Sequence, residues 1–314
     1  MLHTIITKSK GVNMNVAVID TKLVMYQQQH RHKHAFQAIL DVAQLGVGLL
    51  PHCSKIIWAK DLGKSKRCTD FPAYKAHRKE RNKKMSATEK RSLEKFLDIY
   101  ESSNDVLSIL GNVISMEGIE ADDLAYIIAD RFAKSGDVNV YLISSDADWA
   151  RFLVADNIKM LHYGRAILIG AEDAEREFKV PQQWGLFVDS VAGVVKENVD
   201  GITKAGKGRV LQYLKKAEYN KEEFFKIFDE AVEAHKYGFK FPEWASSTKE
   251  VSERNLKILA PITWEDLSSK EKEDFRAQWS SVCSKSEDEL IQVTTMKYNY
   301  TLIPNPDVKR FYGI

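Results

Sequence analysis

The sequence has few cysteines, no long apolar run and almost no net charge. Its cysteines, Cys53, Cys68 and Cys283, are scattered and odd in number, which excludes a disulfide framework or a zinc-finger spacing and indicates a reducing, cytosolic setting. No apolar run approaches the ~20 residues that span a bilayer, and the N-terminal stretch has no apolar core before a cleavage site, so we expect neither a membrane anchor nor a signal peptide. The 46 basic and 44 acidic residues leave a net charge of +2, so information about partners must come from local segregation of charge.

Strands alternate with helices through the first half of the 314-residue chain. Four apolar, β-branched runs predict strands at Asn15–Asp20, Lys55–Asp61, Gly111–Glu117 and Val138–Trp149. Helices are expected at 35–50 and 122–132, and a hairpin turning at Tyr163 and Gly164 follows the fourth strand. This order predicts an α/β fold with a mostly parallel central sheet and helices on both faces. Beyond a soft boundary near Pro181 we expect the chain to be more polar and helical, and we expect residues 1–13 to be dispensable to the fold.

Carboxylates cluster where the predicted strands end. These acids are Asp20, Asp61, Glu120, Asp122, Asp123, Asp146 and Asp148. Any one of them alone is most simply the cap of the next helix. Four strands that deliver acids to one sheet edge favour a binding site instead, because like charges so close need a counter-charge. Oxygen ligands without clustered His or Cys indicate Mg²⁺ or Mn²⁺ rather than Zn²⁺.

A basic segment, Tyr74–Arg91, lies between the second and third strands. On charge alone a solvated helix face explains it as well as a binding surface does. Next to an acidic, metal-binding edge, however, Lys and Arg suit the neutralisation of a nucleic-acid backbone. Tyr74 is expected to stack on a base, as aromatic side chains do in single-strand binding.

From Asn15 to about Leu214, about two thirds of the chain, the sequence resembles the phage and bacterial 5′-nuclease family. That family includes phage RNase H-type flap endonucleases and the 5′-3′ exonuclease domain of bacterial DNA polymerase I. The resemblance rests on the order and spacing of several motifs. They are Ile19-Asp20, Asp61 with Arg67 and "YKAHR" (Tyr74–Arg78), "EADD" (Glu120–Asp123) and "SSDADW" (Ser144–Trp149).

The resemblance implies a PIN-like nuclease core with a helical arch and a C-terminal helix-hairpin-helix region. Its first metal site maps to Asp20, Asp61, Glu120 and Asp122, with Asp123 adjoining, and Asp146 and Asp148 match acids used toward a second metal. Lys75 and Arg78 match the basic pair that contacts the reacting phosphate. The core would span residues 14–180 with the arch at about 75–108, and the helix-hairpin-helix and a helical lobe would span 181–314, with Trp244, Trp264 and Trp279 in the core of that lobe.

The sequence departs from the family pattern at the second metal site. Where the family has Gly-Asp-x-x-Asp-Asn, this chain has "GVVKEN", so Val194 replaces the first Asp and Glu197 stands in for the second. Valine cannot bind a metal, so we expect two ions with a weakened second site. Gln27 occupies the position of an Arg that many members carry. The hairpin that follows fits the family better, and the resemblance implies that it holds a K⁺ ion.

The sequence therefore predicts a Mg²⁺- or Mn²⁺-dependent 5′ nuclease that trims RNA primers or 5′ flaps during DNA replication or repair. The expected nucleic-acid-binding residues are Arg67, Tyr74, Lys75, Arg78, Lys83, Lys84, Lys204, Lys207 and Arg209. The alternative is a structure-specific DNA-binding protein with weakened or no nuclease activity, and a nuclease dominated by a single metal stays open as a third. Expected partners are flapped, forked or nicked DNA, RNA/DNA hybrid and a replication single-strand-binding protein that docks near the C terminus. The chain is expected to be a cytoplasmic monomer, in which "HRHKH" (His30–His34) forms a basic, substrate-contacting loop.

Overall fold

The computed structural model describes residues 14–31, 35–133, 135, 137–283 and 289. Residues 1–13, His32–His34 of the predicted basic loop and the predicted docking segment near the C terminus lie outside this part. Contacts group the described residues into two units, one drawn from Met1–Lys64, Ser86–Glu177 and Ile262–Ile314 and the other from Ser65–Met85 and Phe178–Pro261. The boundary predicted near residue 180 falls close to one passage of the chain between units. The domain assignment as a whole stays a prediction.

The described helices and strands follow one another in the alternating order that the sequence predicts. The strands are β1 (Met14–Asp20), β2 (Lys55–Leu62), β3 (Asn112–Glu117), β4 (Val138–Ser144), β5 (Ile158–His162), β6 (Ile167–Ile169), β7 (Gly193–Val194) and β8 (Val199–Asp200). The helices are α1 (Thr21–Arg31), α2 (Ala35–Leu49), α3 (Arg67–Asp70), α4 (Ala76–Lys84), α5 (Ala87–Ser102), α6 (Asn104–Leu110), α7 (Ala121–Phe132), α8 (Ala171–Phe178), α9 (Gly185–Ala192), α10 (Lys207–Lys216), α11 (Lys221–Glu233), α12 (Thr248–Leu259) and α13 (Ser269–Ser280). The segment predicted as the arch, residues 75–108, is thus mainly helical.

A six-stranded sheet in the order β3-β2-β1-β4-β5-β6 forms the centre of the first unit. Every neighbouring pair from β3 to β5 is parallel, and β6 alone runs antiparallel, on β5. The predicted mostly parallel sheet and the predicted hairpin after the fourth strand are therefore confirmed. The register sets Ile19 opposite Trp58 on one side and Ile143 on the other, so the ends of β1, β2 and β4 meet at one edge.

Helices cover both faces of this sheet, which is why β1 is an almost continuous apolar run. On one face Ile19, Trp58 and Ile143 share a core with side chains of α1, α2, α5 and α6. On the other, α7 packs along the central strands and its buried side includes Leu124 and Ile128. None of the described helices is long and apolar enough to cross a membrane.

The edge strand β3 is covered by α13. The Gln278 side chain accepts a hydrogen bond from the Ser115 N–H (2.8 Å) and donates one to the Ser115 carbonyl (3.0 Å), as a neighbouring strand would. Trp279 packs on Phe132, and Trp264 packs on Phe275. The expectation that these two tryptophans form the core of a C-terminal lobe is wrong, because the last described helix returns to the sheet.

The second unit is helical and is built around aromatic side chains. Phe224, Phe228 and Phe239 are fully buried in a core with residues of α9, α10 and α12. Between α9 and α10 the two-residue strands β7 and β8 form a tight hairpin. Gly193 has a φ of +75° there, and a Cβ on Gly201 would lie 2.2 Å from the Ala192 carbonyl carbon, so both positions require glycine. This helix, hairpin and helix occupy the place of the predicted motif, whose assignment stays a prediction.

Candidate active site

Asp20 closes β1 at the sheet edge and is only 7% exposed. Its Oδ1 accepts from the Leu23 N–H (3.1 Å) in the first turn of α1, and its Oδ2 accepts from the Ser144 hydroxyl (3.0 Å) at the end of β4. The pKa of Asp20 is raised to about 7, chiefly by burial and with a contribution from the nearby charges of Asp61 and Asp146, while the two hydrogen bonds oppose the rise. The position of Asp20 therefore disfavours its own negative charge.

Asp61, near the end of β2, ties that strand to α7. Its Oδ1 accepts from the Ala121 N–H (2.9 Å), the first peptide of α7, so the start of the "EADD" helix is held against the strand end. Its Oδ2 lies 3.1 Å from the Lys22 Nζ, in an ion pair in which both side chains are more than a third exposed. The Asp61 N–H donates to the Tyr100 hydroxyl (3.1 Å). The backbone and the carboxylate of Asp61 are thus both fixed.

Asp122 lies in the first turn of α7 and is half-buried. The indole N–H of the fully buried Trp149 donates to its Oδ1 (2.7 Å). Burial, followed by the charge of Asp20, raises the pKa of Asp122 well above its ordinary value, and Asp146 and Glu120 add to that effect while the Trp149 bond opposes it. Carboxylates from β1, from the start of α7 and from the end of β4 are therefore close enough to repel one another.

Asp123, predicted to adjoin the first metal site, is held by the backbone. One carboxylate oxygen accepts from the Glu120 N–H (3.3 Å), which caps α7, and the other accepts from the Ile262 N–H (2.8 Å). The side chain is 1% exposed. These contacts indicate that Asp123 stabilises the start of the helix that carries Asp122.

A chain of hydrogen bonds orders the acids after β4. The Ser144 hydroxyl accepts from the Asp146 N–H (3.0 Å), and the Asp146 Oδ1 accepts from the Asp148 N–H (3.0 Å), which starts a short 3₁₀ turn. Asp148 forms an ion pair with Arg151 (2.9 Å). Since Ser144 also donates to Asp20, one hydroxyl links the acids of β1 and β4.

The acids at this edge have the donor chemistry that a hard divalent cation requires. All are carboxylates, they come from four strand ends, and Asp20 and Asp122 have raised pKa values caused by burial and by neighbouring charge. Within the described residues, no three Asp, Glu, His or Cys side chains already surround a common point as ligands. The set of oxygen donors therefore fits Mg²⁺ or Mn²⁺. In this structure the carboxylates of Asp20, Asp61 and Asp122 accept hydrogen bonds from protein groups.

Two side chains near Asp61, Lys60 and Tyr100, belong to none of the sequence motifs. Lys60 is 4% exposed, and its Nζ donates to the Tyr100 carbonyl and to the Asn104 side chain (2.6 Å) while lying 4.1 Å from the Tyr100 ring centroid. Burial lowers the pKa of Lys60 to about 8. Together Lys60 and Tyr100 join the end of α5 to β2. The only local signal for Lys60 was a lysine inside an apolar strand, whereas its partners lie about 40 residues away.

In the second unit, the two predicted catalytic cations contact Glu197, the predicted stand-in metal ligand. The Lys75 Nζ lies 3.3 Å from the Glu197 Oε2, and the Arg78 Nη2 lies 3.2 Å from the Oε1. The Lys75 N–H also donates to the Glu197 carbonyl (2.8 Å), and Lys75 has a left-handed φ of +56°. These three residues form one ion cluster.

Tyr74 is buried, contrary to what stacking on a base would need. Its ring is 8% exposed and packs with Val199 and Ile258, and the Lys75 Nζ lies 4.8 Å from the ring centroid. In this position the ring anchors the segment that carries Lys75.

Of the other predicted nucleic-acid-binding residues, Arg67 and Lys207 contact protein groups, and most of the set is exposed to solvent. Arg67 donates to the Ala260 carbonyl (2.7 Å). Lys207 pairs with the buried Asp189 (2.6 Å) and keeps a half-exposed side chain. The exposed residues are Lys83, Lys84, Lys204, Lys207 and Arg209.

Val194 is a buried core residue. It pairs with Val199 across the β7–β8 hairpin and is 6% exposed. The position of the missing family Asp is thus filled by a packed apolar side chain. Gln27, at the position of a family Arg, accepts a hydrogen bond from the Ser145 hydroxyl (3.2 Å).

Comparisons with known proteins bear on the family and the fold of this chain. A family model described as the N-terminal resolvase-like domain of 5′-3′ exonuclease matches residues 15–179. No curated protein matches the sequence. Among solved structures, a 5′-exonuclease of bacteriophage T5 with bound zinc ions is 18% identical, with a TM-score of 0.66 over 84% of this chain and 99% of its own. A bacteriophage T5 flap endonuclease in complex with DNA and metal ions is also 18% identical, with a TM-score of 0.61 over 96% and 100% of the two chains.

A more distant likeness extends to a junction-resolving enzyme. The Holliday junction-resolving enzyme GEN1, in complex with product DNA and a Mg²⁺ ion, is 16% identical, with a TM-score of 0.53 over 90% of this chain and 65% of its own. At these identities the structures establish the fold that the chain shares with them.

Proposed function

This chain belongs to the family of 5′-3′ exonucleases with an N-terminal resolvase-like domain, and from this premise we propose that it is a structure-specific 5′ nuclease. It would hydrolyse phosphodiester bonds of RNA primers or 5′ flaps, as a 5′-3′ exonuclease and flap endonuclease, in DNA replication or repair. The observation that carries the proposal is the group of mutually repelling carboxylates centred on Asp20 and Asp122. A protein gains nothing in stability from such a group unless a cation binds there.

The carboxylates would hold divalent ions in two sets. The first ion would be bound by Asp20, Asp61, Glu120 and Asp122. Asp146 and Asp148 would contribute to a second, more weakly bound ion. When bound, such ions lower the pKa of water and stabilise the charge on a leaving oxygen. Ser144 and Trp149 would keep Asp20 and Asp122 in place through the hydrogen bonds that they donate. Asp123 would hold the helix start.

Lys75 and Arg78 would neutralise charge on the reacting phosphate. Both now contact Glu197, whose carboxylate offers them the same kind of oxygen partner that a phosphate offers. Glu197 would therefore orient the two cations until a phosphate replaces it, in addition to the metal-ligand role suggested by its place in the motif.

Nucleic acid is the proposed substrate and partner. The bacteriophage T5 flap endonuclease and GEN1 structures contain DNA and metal ions, and this chain carries exposed cations, including Lys83 and Lys84, on α4. We therefore propose flapped, forked or nicked DNA and RNA/DNA hybrid as ligands and Mg²⁺ or Mn²⁺ as cofactor. The K⁺ ion in the hairpin, the single-strand-binding partner, the monomeric state and the cytoplasmic location stay predictions.

Cleavage of a 5′-labelled flap substrate tests the proposal. We expect product with Mg²⁺ or Mn²⁺ and none with a chelator. Asp122→Asn should lower the rate by at least about a hundredfold because it removes a ligand charge but keeps the acceptor for Trp149. The matched control is Asp130→Asn, an exposed acid on the same helix, which should cleave as wild type does. Metal-independent cleavage, or equal loss in both variants, would contradict the proposal.

A second function, structure-specific DNA binding without efficient cleavage, is favoured by one observation. The buried Val194 leaves the family motif without a metal ligand, and Glu197 is occupied by Lys75 and Arg78. This alternative predicts tight binding to forked DNA, binding of one metal ion and no cleavage of flap, nick or hybrid substrates. A wild-type protein that cleaves any of them with Mg²⁺ excludes it.

A further inference from the structure

The segment "HKYGFK" (His235–Lys240) lies against the turn that follows the β7–β8 hairpin. The Thr203 N–H donates to the Lys240 carbonyl (2.9 Å) in an isolated β-bridge. A Cβ on Gly238 would lie 3.2 Å from the Lys204 Nζ, so the lysine passes directly over this glycine. The two segments, about 35 residues apart in sequence, therefore form one continuous surface within the second unit.

A buried anchor fixes the segment while its neighbours point outward. Phe239 is fully buried and stacks on Phe228, with ring centroids 5.3 Å apart and planes 12° apart. Tyr237, two residues earlier, is 58% exposed. Its φ of +57° is unusual for a bulky residue. Backbone of this kind costs free energy and persists only where packing or function enforces it.

Tyr237 also carries a cation on one face. The Arg209 guanidinium carbon lies 4.9 Å from its ring centroid, and an Arg209 N–H donates to the Lys204 carbonyl (2.9 Å). A single exposed aromatic side chain needs no explanation. An exposed ring that is supported from one side by an arginine, at the centre of a basic surface, has the makeup of sites that bind nucleic-acid strands.

The surface is basic, and its lysines are exposed to solvent and can bind phosphate groups. The exposed members are Lys204, Arg209, His235, Lys236, Tyr237 and Lys240. Within the part of the chain that the structure describes, Lys204, Lys236 and Lys240 form no ion pair. The exposed acid Glu233 lies outside the segment, at the end of α11 and two residues before His235. The positive charge is therefore concentrated on residues 235–240 and on the facing turn.

We propose that residues 235–240 extend the nucleic-acid interface of the Lys204–Arg209 turn, with the lysines on phosphates and Tyr237 against a sugar or base. The proposal rests on the proposed function only in that the ligand is nucleic acid. The family resemblance ends near Leu214, so it assigns nothing to this segment. The surface would recognise a phosphodiester backbone with an apolar face beside it. In a duplex that apolar face is formed by the sugars, and in a single strand it is formed by the bases.

Binding measured by fluorescence anisotropy without divalent metal tests this surface separately from cleavage. The ligands are a labelled duplex, a single-stranded oligonucleotide and a 5′-flap substrate. Tyr237→Ala should weaken binding about five- to a hundredfold with an unchanged salt dependence, and Tyr237→Phe should retain binding. Loss on the duplex alone identifies sugar contact, and loss on the single strand identifies base stacking.

The charge variant has its own readout and control. Lys236→Gln combined with Lys240→Gln should lower the slope of log Kd against log salt by about two, because two phosphate contacts are lost. Lys226→Gln combined with Lys270→Gln removes two other exposed charges and should leave the slope unchanged. The proposal is overturned if Tyr237→Ala and the 236/240 pair bind as the control does, or if wild type binds no nucleic acid. A wild type that binds but does not cleave with Mg²⁺ overturns the proposed function and leaves this surface standing.

Discussion

At the scale of single residues, Val194 is the position where the sequence departs from the predicted second metal site. In the family an Asp stands there, and a simple expectation would be that restoring it completes the second metal site. The structure places Val194 inside the β7–β8 hairpin, 6% exposed and paired with Val199, while the next residue, Val195, is 92% exposed. Position 194 is therefore occupied by a packed apolar side chain.

Val194→Asp is expected to destabilise the protein by about 2 kcal/mol or more, because a carboxylate would be buried without a partner. Val195→Asp is the matched control, since it makes the same chemical change one residue away in solvent, and it should shift stability by less than about 0.5 kcal/mol. Denaturant unfolding monitored by circular dichroism gives both values. Equal midpoints for the two variants would show that position 194 is open enough to accept a ligand.

Only part of the site could be predicted from the sequence. The positions of Asp20, Asp61, Asp122 and Asp146 were predictable because each lies at or soon after the end of a strand, and parallel strands bring their carboxyl ends together. The contacts that decide what Glu197, Tyr74 and Asp123 do are not local. They depend on Lys75 and Arg78, on Ile258 and on Ile262, and no spacing rule connects positions so far apart.

At the scale of secondary-structure elements, the covering of the edge strand β3 could not be predicted from the sequence. The apolar runs of β1 to β4 and the helix α7 follow directly from periodicity, and the structure confirms them. The predicted end of the fourth strand at Trp149 is wrong, because β4 ends at Ser144 and a 3₁₀ turn follows at Ala147–Phe152. Nothing in the sequence of α13 indicates that it covers β3, since the contact is made by hydrogen bonds between residues far apart in the chain, such as Gln278 with Ser115, 163 residues away, and Asn112 with the Gln278 carbonyl. An uncovered edge strand exposes unpaired backbone groups, so Gln278 has a specific structural task.

Replacing Gln278 with alanine should leave the Ser115 N–H and carbonyl without their partners, at a cost of about 1–3 kcal/mol. Glu273→Ala, an exposed position on the same helix, is the control and should change stability little. Native-state hydrogen exchange provides the local readout, because the Ser115 amide should lose protection in Gln278→Ala only. If that amide exchanges equally in both variants, the strand-like pairing is not what protects β3.

At the scale of the whole molecule, the central proposal is that the carboxylates at the carboxyl ends of the strands form a divalent-metal site. The fold is shared with nucleases that bind metal ions and DNA, and the charge cluster around Asp20 is unfavourable without a cation. Lys22, paired with Asp61, relieves only part of it, since a partly exposed ion pair contributes little.

Calorimetric titration of Mn²⁺ into the protein without nucleic acid tests this claim most directly. Wild type and the Asp130→Asn control should bind with the same affinity, whereas Asp20→Asn should bind at least about tenfold more weakly, because it removes a ligand charge while retaining an acceptor for the Ser144 hydroxyl. Cooperative unfolding of the metal-free variant, at a denaturant midpoint no lower than that of wild type, shows that the fold is intact, because removing an unfavourable buried charge should not destabilise the metal-free protein. Identical Mn²⁺ binding by Asp20→Asn and wild type, or no binding by either, would contradict the account.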